Sequence, residues 1–351
     1  MNPDSEPAAV ETGIVESCVR LFEEARVDPA RATQYEAKIL TNAPPEVSII
    51  IPTKNEAAGI AQVIGRIRRV MDPRGMGYEL IVVDDGSDDE TAQIACREGA
   101  RVLRHPYNIG NGAAVKTGIR AARGRYLVML DGDGQHPPEE IPRLLDRLSE
   151  YHMAVGARAA GSETSWHRNL ANRVYNWMAT YVCNFRIEDL TSGFRAMRAH
   201  IAREFVNLLP NTFSYPTTIT LATIRSGYSL VYVPIKSARR SGNSKSKIRL
   251  LRDGTRFFLI ILKICTLFSP MKIFFPASVL TTLVGFVYGL CKVFLVDGRY
   301  GPSAAMLITF GVLMFLIGLV SEQVAQMRFD RFEGMENGHK ACVEALDRKH
   351  N

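Results

Sequence analysis

Two carboxylates that flank a glycine, Asp131 and Asp133, are the residues of this sequence best suited to chemistry. They follow an apolar run at 127–130 that is typical of a buried strand. Ligands of open α/β sheets bind at the carboxyl ends of strands, and paired carboxylates there suit Mg²⁺ or Mn²⁺ bridging to a diphosphate. Taken alone, Asp-Gly-Asp-Gly is also typical of a surface turn, and the isolated motif favours that alternative.

Two further apolar runs also end in polar residues. The run at 80–83 is followed by acids within 84–89, and the run at 47–51 by Pro52, Thr53, Lys54, Asn55 and Glu56. Because the carboxyl ends of parallel strands meet at one sheet edge, the three together indicate a nucleotide site. Ser87 and Asp88 or Asp89 also suit the cap of the following helix, so part of this signal is structural.

The elements that position these residues alternate between two periodicities. Apolar runs at 47–51, 80–83 and 126–130 are separated by segments of helical period such as 60–70 and 91–99. This pattern predicts an α/β fold with a mostly parallel sheet covered by helices on both faces. Residues 1–44 carry looser apolar spacing and predict a short helical extension.

The last third of the chain predicts a membrane-associated region. Lys292 is the only charged residue within 273–296, and residues 303–320 contain no charged residue. At about 1.5 Å per residue these helices reach about 36 and 27 Å, close to a hydrocarbon core of about 30 Å. They predict a transmembrane hairpin within 271–327, with spans at about 273–296 and 303–322. The alternative is two buried helices of a large soluble core.

Basic residues accompany this region. Lys245, Lys247, Arg249, Arg252 and Arg256 precede an apolar stretch at 257–268, so 244–270 are expected to be amphipathic helices at the membrane interface. Arg328 and Arg331 follow the second span, whereas the turn at 297–302 holds only Arg299. The positive-inside rule then places both termini, including a tail at 328–351, in the cytosol.

Composition excludes several classes of protein. A hydrophobic share of 46% and a charged share of 23% rule out a disordered chain, a collagen and a disulfide miniprotein. The six scattered cysteines include no CxxC pair and are expected to be free thiols in a reducing compartment. The first dozen residues lack the features of a secretory signal. The net charge of +7 suits an anionic partner.

Four ordered segments carry a family resemblance: VSIIIPTKNE, ELIVVDDGSDDET, HPYNIGNGAAVKTGIRAARG and YLVMLDGDGQHPPEEIPRLL. The series resembles the family-two inverting glycosyltransferases of GT-A fold. The later SGFR and RRSGNSK segments, followed by the hairpin, are similar to the branch that acts on polyprenyl phosphates, which includes dolichol-phosphate mannose synthases. The resemblance covers about residues 47–325, and it implies a catalytic domain at 45–243.

The resemblance implies a role for each matching residue on the donor side. Pro52, Thr53, Asn55 and Glu56 would line the nucleotide pocket, and Asp85 would receive the base or ribose. A Mg²⁺ or Mn²⁺ ion and the donor diphosphate would be held by Asp131, Asp133 and Gln135. Pro52 and Asn55 could instead shape a strand-to-helix turn, and Gln135 could cap a helix.

On the acceptor side, cations must offset the repulsion between two anionic substrates. Arginines matching Arg158, Arg168 and Arg239 would clamp the acceptor phosphate, and Lys245 leads into the interface helix. Asp189 matches the acid of the family's D-x-x-S-G pattern. It could be a general base or could orient Arg195 or the acceptor, and an already ionised phosphate acceptor favours the orienting role.

Three places depart from the family pattern. Tyr215-Pro216-Thr217 and Tyr232 stand where acids are common, and Asn111 stands where Lys is common. These departures predict that the donor sugar or the acceptor is handled differently from the best-known members.

We therefore expect an inverting transfer of a hexose-type sugar from a UDP- or GDP-linked donor to undecaprenyl or dolichyl phosphate, at the cytosolic face of a prokaryotic membrane. The expected partners are this donor, this acceptor and the lipid bilayer. The transmembrane helices could also join copies of the chain into a homo-oligomer. The alternatives are transfer to a glycan or glycerolipid hydroxyl, and an inactive scaffold or nucleotide sensor. A nucleic-acid binder is disfavoured because the basic residues gather at the membrane junction.

Overall fold

The computed structural model describes residues 44–158, 176–177, 179–181, 183–211, 215–235, 266, 269–295 and 300–350, with side chains as far as residue 327. They belong to two compact units, Met1–Trp177 with Arg186–Lys245 and Met178–Phe185 with Ser246–Asn351. The predicted helices of residues 1–43 and most of the predicted interface segment 244–270 lie outside the described residues.

The first unit is built on a seven-stranded sheet. Its strands are β1 (Val47–Thr53), β2 (Tyr78–Asp84), β3 (Arg101–Arg104), β4 (Tyr126–Met129), β5 (Met153–Arg158), β6 (Arg195–Arg198) and β7 (Leu230–Ile235). The order across the sheet is β3-β2-β1-β4-β6-β5-β7, and β6 alone of these runs antiparallel to its neighbours. The predicted α/β class with a mostly parallel sheet is confirmed.

Helices join the strands. They are α1 (Ile60–Met71), α2 (Thr91–Arg97), α3 (Asn111–Ala121), α4 (Ile141–Asp146), α5 (Ala199–Phe205) and α6 (Tyr215–Arg225), with 3₁₀ turns at Asp72–Arg74, Pro138–Glu140, Arg147–Ser149 and Val206–Leu208. All seven residues of β1 are buried because it is a central strand with both faces covered. The buried residues of α1 recur at helical spacing, namely Ile60, Val63, Ile64, Ile67 and Met71.

The second unit contains two long helices, α7 (Met271–Leu295) and α8 (Pro302–His350). The stretches Met271–Leu295 and Pro302–Met327 are long and apolar enough to cross a membrane, and only 17% of the most apolar window of each is buried. Side chains such as Leu280, Phe294 and Val320 are exposed, which contradicts the alternative of two buried core helices. The helix α8 continues through the predicted tail at 328–351 as far as His350.

Glycines set the distance between these two helices. A Cβ built on Gly311 would lie 2.9 Å from the carbonyl oxygen of Ser278 and 3.0 Å from the amide nitrogen of Thr282. A Cβ on Gly285 would lie 2.8 Å from Cβ of Leu307. The close backbone approach is the packing that small residues permit between helices in lipid.

We expect Gly118→Ala to destabilise the first unit, because the new Cβ would collide with Cγ2 of Ile50 on β1. Overpacking typically costs about 1–3 kcal/mol, which outweighs the gain of about 1 kcal/mol from replacing a helical glycine. Gly65→Ala in α1 is the matched control, since nothing lies within 4 Å of its added Cβ. Thermal unfolding of the purified protein should show a lower midpoint for Gly118→Ala and an unchanged or higher one for Gly65→Ala. Equal midpoints for the two variants would contradict this packing.

Candidate active site at the sheet edge

Strand register brings the three predicted polar segments together. Thr53 at the end of β1 pairs with Asp84 at the end of β2, and the amide of Asp85 donates to the carbonyl of Thr53 at 2.9 Å. On the other side of β1, the amide of Gly132 donates to the carbonyl of Pro52 at 3.3 Å. The three strand ends therefore share one edge, as the sequence predicts.

The segment after β1 is tied to the segment after β2. Asn55 has a left-handed backbone with φ of 56°, and its amide donates to Oγ of Ser87 at 2.9 Å. Its side chain accepts from the amide of Asp88 at 3.0 Å, and the amide of Glu56 donates to Oγ1 of Thr91 at 2.9 Å. Asn55 thus has a turn-shaping role, whereas nucleotide contact by Pro52, Thr53, Asn55 or Glu56 stays a prediction.

Asp85 is almost fully buried, and both of its carboxylate oxygens accept hydrogen bonds from protein groups. Oδ1 accepts from the amide of Ile109 at 2.9 Å and lies 2.8 Å from Nδ1 of His105, while Oδ2 accepts from the amide of Gly110 at 2.8 Å. His105 lies 3.0 Å from Oγ1 of Thr117 through its other ring nitrogen. Asp85 therefore holds the loop before α3 at the sheet edge, and its predicted contact with a base or ribose stays a prediction.

Asp131 and Asp133 face the same edge from the end of β4. One third of the Asp131 side chain is exposed, and Oδ1 of Asp133 accepts from the amide of Gln135 at 3.1 Å. Nδ1 of His136 accepts from the amide of Asp131 at 3.3 Å, and the His136 ring stacks on Phe194 at a centroid distance of 5.5 Å. The Asp133 carboxylate is therefore fixed by a backbone amide, whereas the Asp131 side chain stays partly exposed.

The Ser192-Gly193-Phe194-Arg195 segment forms the layer behind Asp131. Oγ of Ser192 donates to the carbonyl of Gly156 on β5 at 2.6 Å, and Phe194 is fully buried beneath His136. A Cβ built on Gly193 would lie 2.9 Å from Oδ2 of Asp131 and 3.1 Å from Oη of Tyr215. Only a glycine leaves the Asp131 carboxylate and the Tyr215 hydroxyl undisturbed at this point.

Arg195 places a positive charge inside this layer. Its guanidinium is fully buried and donates to the carbonyl of Pro216 at 3.0 Å, to Oγ1 of Thr220 at 3.1 Å and to the carbonyl of Ser192. It also lies 5.9 Å from the centre of the Tyr215 ring. Burial lowers the pKa of Arg195, and the negative charge of Asp131 is among the groups that oppose this shift. Arginine nevertheless stays protonated in proteins.

The charges around Asp131 act on one another. Burial raises the pKa of the Asp131 carboxyl, the charge of Asp133 adds to this rise, and His136 and Arg195 counteract it. Burial and the nearby Asp131 also raise the pKa of Tyr215, so its hydroxyl keeps its proton and remains a hydrogen-bond donor. The carbonyl of Gly193 accepts from this hydroxyl at 3.5 Å, a long contact. The site thus concentrates negative charge next to an internal cation.

Asp189 is paired with Arg158 rather than with Arg195. Oδ2 of Asp189 accepts from Nε of Arg158 at 2.8 Å, and Oδ1 accepts from Nη2 at 3.1 Å and from the amide of Thr191 at 3.1 Å. Although burial favours the neutral acid, these hydrogen bonds and the Arg158 charge hold the pKa of the Asp189 carboxyl below its ordinary value. The hydrogen bond to Asp189 in turn raises the pKa of Arg158. Asp189 is therefore an ionised, fully engaged carboxylate and a weak base.

Three of the predicted site residues, Arg168, Arg239 and Lys245, lie outside the described residues. The structure adds two side chains that the sequence did not assign to the site, His136 and Tyr215. His136 is visible in the sequence only as a residue near the acidic pair. Tyr215 departs from the family pattern, and that departure is the one signal that marks its position.

A mostly parallel sheet with an Asp-Gly-Asp pair at the edge formed by its central strands defines the class of fold as GT-A, which a solved structure similar to this chain shares. Residues 48–206 match the profile of glycosyl transferase family 2, and residues 269–327 match that of the GtrB C-terminal hairpin. The chain therefore carries a family 2 glycosyltransferase domain followed by a GtrB-type hairpin, and the predicted resemblance is confirmed.

Curated relatives align over most of the chain. An undecaprenyl-phosphate 4-deoxy-4-formamido-L-arabinose transferase of Edwardsiella ictaluri is 25% identical over 81% of this chain and 90% of its own length. A protein of the same name from Klebsiella pneumoniae is 29% identical over 78% of this chain and 84% of its own length.

Among solved structures, glucosyl-3-phosphoglycerate synthase of Mycobacterium tuberculosis in complex with phosphoglyceric acid has a TM-score of 0.51 and 22% identity, over 66% of this chain and 81% of that one. The same enzyme with Mn²⁺, uridine diphosphate and phosphoglyceric acid has a TM-score of 0.50 and 21% identity, over the same shares. At this identity the likeness shows a shared fold.

We expect Gly193→Ala to lower the transfer rate by about 10²-fold with little loss of stability, because the added Cβ would push the Asp131 carboxylate out of position. Gly59→Ala, beside α1, is the control, since nothing lies within 4 Å of its added Cβ. The measurement is the initial rate of sugar transfer together with the thermal midpoint of each variant. A Gly193→Ala enzyme with the wild-type rate would show that the position of the Asp131 carboxylate does not depend on the space at Gly193.

Proposed function

We propose that the protein transfers a sugar from a nucleoside diphosphate sugar to a polyprenyl phosphate at the cytosolic face of a membrane, with inversion at the transferred carbon. The observation that carries the proposal is the ion pair of Asp189 with Arg158. A hydroxyl acceptor needs a base, whereas a phosphate oxygen is already ionised near neutral pH. Because Asp189 is fully engaged and a weak base, the arrangement favours the phosphate acceptor.

The curated relatives support the same acceptor class. Their names specify undecaprenyl phosphate, and the alignments cover about four fifths of the chain. The hairpin supports an acceptor that resides in the bilayer. We propose a hexose-type donor linked to UDP or GDP, whereas the names of the relatives specify a modified arabinose, so the sugar needs a direct test.

The residues at the edge fit a divalent cation of the Mg²⁺ or Mn²⁺ type. The described residues contain no cluster of three or more His, Cys, Asp or Glu that could hold a metal by itself. A cation of this type is commonly bound by one or two carboxylates together with substrate phosphates, and Asp131 and Asp133 supply that number, with Gln135 as a further oxygen donor. When bound, the ion would offset the charge of the departing diphosphate.

The protein residues would do the remaining work by positioning. Asp131 and Asp133 would hold the ion beside the diphosphate for a single in-line displacement, with Arg195 as a fixed countercharge behind Asp131. Arg158, held by Asp189, would present a guanidinium to the acceptor phosphate. The predicted clamp residues Arg168 and Arg239 would complete this set, with Lys245 near the membrane.

The direct test incubates the purified enzyme with undecaprenyl or dolichyl phosphate and a panel of radiolabelled donors, including UDP-glucose, GDP-mannose and a UDP-linked 4-deoxy-4-formamido-L-arabinose. We expect lipid-extractable label from one donor. Parallel reactions replace the polyprenyl phosphate with a glycan or a diacylglycerol, and label transferred only to one of these hydroxyl acceptors would establish the first alternative. Donor binding without transfer or hydrolysis for any member of the panel would support the inactive nucleotide sensor.

We expect Asp133→Ala to reduce transfer below detection, because the variant loses one of the two carboxylates that would hold the cation beside the diphosphate. Chelation with EDTA should have the same effect on the wild type, and added Mg²⁺ or Mn²⁺ should restore the rate. Asp146→Ala removes an exposed acid that pairs with Arg74 and is the control for loss of a negative charge. Transfer at the wild-type rate by Asp133→Ala would overturn the assignment of this site.

We expect Asp189→Asn and Arg158→Lys to lower transfer by similar factors, and the double variant to be little worse than either, because the two side chains act as one unit. The change should fall mainly on the KM for the polyprenyl phosphate, which should rise. A loss of several powers of ten in kcat for Asp189→Asn, beside a nearly intact Arg158→Lys, would make Asp189 a general base and favour a hydroxyl acceptor.

A further inference from the structure

Residues 105–110 join β3 to α3 and are called the bridging loop below. The amide of His105 donates to the carbonyl of the last residue of β2 at 2.8 Å. At the other end of the loop, the amides of Ile109 and Gly110 donate to the two carboxylate oxygens of Asp85 at 2.9 and 2.8 Å. Both ends of the bridging loop are therefore fixed to the end of β2.

The middle of the bridging loop packs on the turn that follows β2. Gly86 has a left-handed backbone with φ of 67°, and a Cβ built on it would lie 2.6 Å from the carbonyl carbon of Tyr107 and 2.8 Å from the amide nitrogen of Asn108. Oriented to satisfy both neighbours, the side-chain amide of Asn108 donates to Oδ2 of Asp85 at 2.6 Å and accepts from Nζ of Lys54 at 2.8 Å. The turn and the Asp85 carboxylate thus hold the loop along its whole length.

The start of α3 is held just as closely on its other side. Gly112 faces the carbonyl oxygen of Pro210, and any Cβ at this position would collide with that oxygen. The amide of Ala113 donates to the carbonyl of Asn211 at 2.7 Å. Because the helix begins between the bridging loop and this turn, its first residue, Asn111, has a fixed backbone position.

Asn111 connects this arrangement to the end of β4. Its side chain forms a hydrogen bond with the Asp131 carboxylate that favours the ionised form, so the NH₂ group of the amide is the donor. His136 and Arg195 also favour the ionised form, but both are buried, whereas Asn111 is exposed. Of these three groups, Asn111 is therefore the one that lies where a ligand of Asp131 can approach.

From these contacts we propose that Asn111 is a positioning residue for the cation-binding carboxylate of Asp131, and that Asp85 acts on the same carboxylate through the bridging loop. The inference rests on the proposed function, because it requires a cation beside the donor diphosphate. Hydrogen-bonding partners of carboxylates that bind a metal commonly contribute about 10–100-fold to metal affinity or activity. Asp85 thereby has a function that does not depend on contact with the base or the ribose.

The test measures the affinity of the full-length protein for inorganic pyrophosphate, which has the diphosphate oxygens of a donor but no base or ribose. Calorimetric titrations are made with excess Mn²⁺ and again with EDTA. With Mn²⁺ we expect Asn111→Ala to raise the Kd about 10-fold, because the Asp131 carboxylate loses its exposed hydrogen-bond donor. With EDTA the wild type and the variant should bind equally weakly, since the carboxylate then has no cation to hold.

With Mn²⁺, Asp85→Asn should raise the Kd by a similar factor. The double variant Asp85→Asn with Asn111→Ala should be little worse than either single variant, because both changes act on one carboxylate. Asn207→Ala is the matched control. Asn207 is exposed, accepts from Arg120 near the other end of α3 at 3.0 Å, and should leave the Kd unchanged when replaced. Thermal unfolding is measured for each protein, and Asn111→Ala decides the outcome by itself if Asp85→Asn is unstable.

An unchanged Kd for Asn111→Ala with Mn²⁺ would overturn the inference. A loss of affinity that persists in EDTA would also overturn it, because Asn111 would then bind the phosphate directly. Additive losses in the double variant would contradict the part assigned to Asp85. A wild-type protein that binds pyrophosphate equally well with Mn²⁺ and with EDTA would contradict the cation site of the proposed function itself. The titrations involve no sugar transfer, so an incorrect donor sugar or acceptor leaves them unaffected.

Discussion

The structure of the catalytic unit depends on holding the carboxylate of Asp131 partly buried at the edge of the sheet. Removing a carboxylate from water is costly unless hydrogen bonds or opposite charge compensate for it. In this protein His136, a side-chain hydrogen bond with Asn111 and the buried guanidinium of Arg195 all favour the ionised form of Asp131. That guanidinium is itself stabilised by two backbone carbonyls and by Oγ1 of Thr220. The cation is thus provided by the fold before any ligand binds.

This constraint explains why the Ser192–Arg195 segment has its composition. Serine fastens the segment to β5, glycine gives room to the Asp131 carboxylate, phenylalanine supports the His136 ring, and arginine provides the charge. The glycine and the arginine act on Asp131 directly, through space and charge, and the phenylalanine acts through the His136 ring. A preorganised charge arrangement of this kind lowers the reorganisation needed when charge develops on a leaving group.

The pair of Arg158 and Asp189 joins the end of β5 to a residue 31 positions later in the chain, and it fixes the orientation of the guanidinium. The hairpin is held together by close glycine contacts and needs no charge within its middle part. Lys272 and Glu322 lie instead at one end, where the Glu322 carboxylate accepts from the amide of Met271 and Nζ of Lys272 donates to Oδ1 of Asn184.

The sequence by itself determined the α/β class, the three polar strand ends, the Asp131–Asp133 pair and the two apolar helices. These depend on periodicity and on short motifs, which act locally along the chain. Only the tertiary structure decided which side chains form ion pairs and hydrogen bonds with one another at the site. It paired Asp189 with Arg158 instead of Arg195, engaged both oxygens of Asp85 with internal donors, and placed Tyr215 and His136 around Asp131. Contacts between residues distant in sequence depend on strand order and packing, and a single sequence contains no local signal for them.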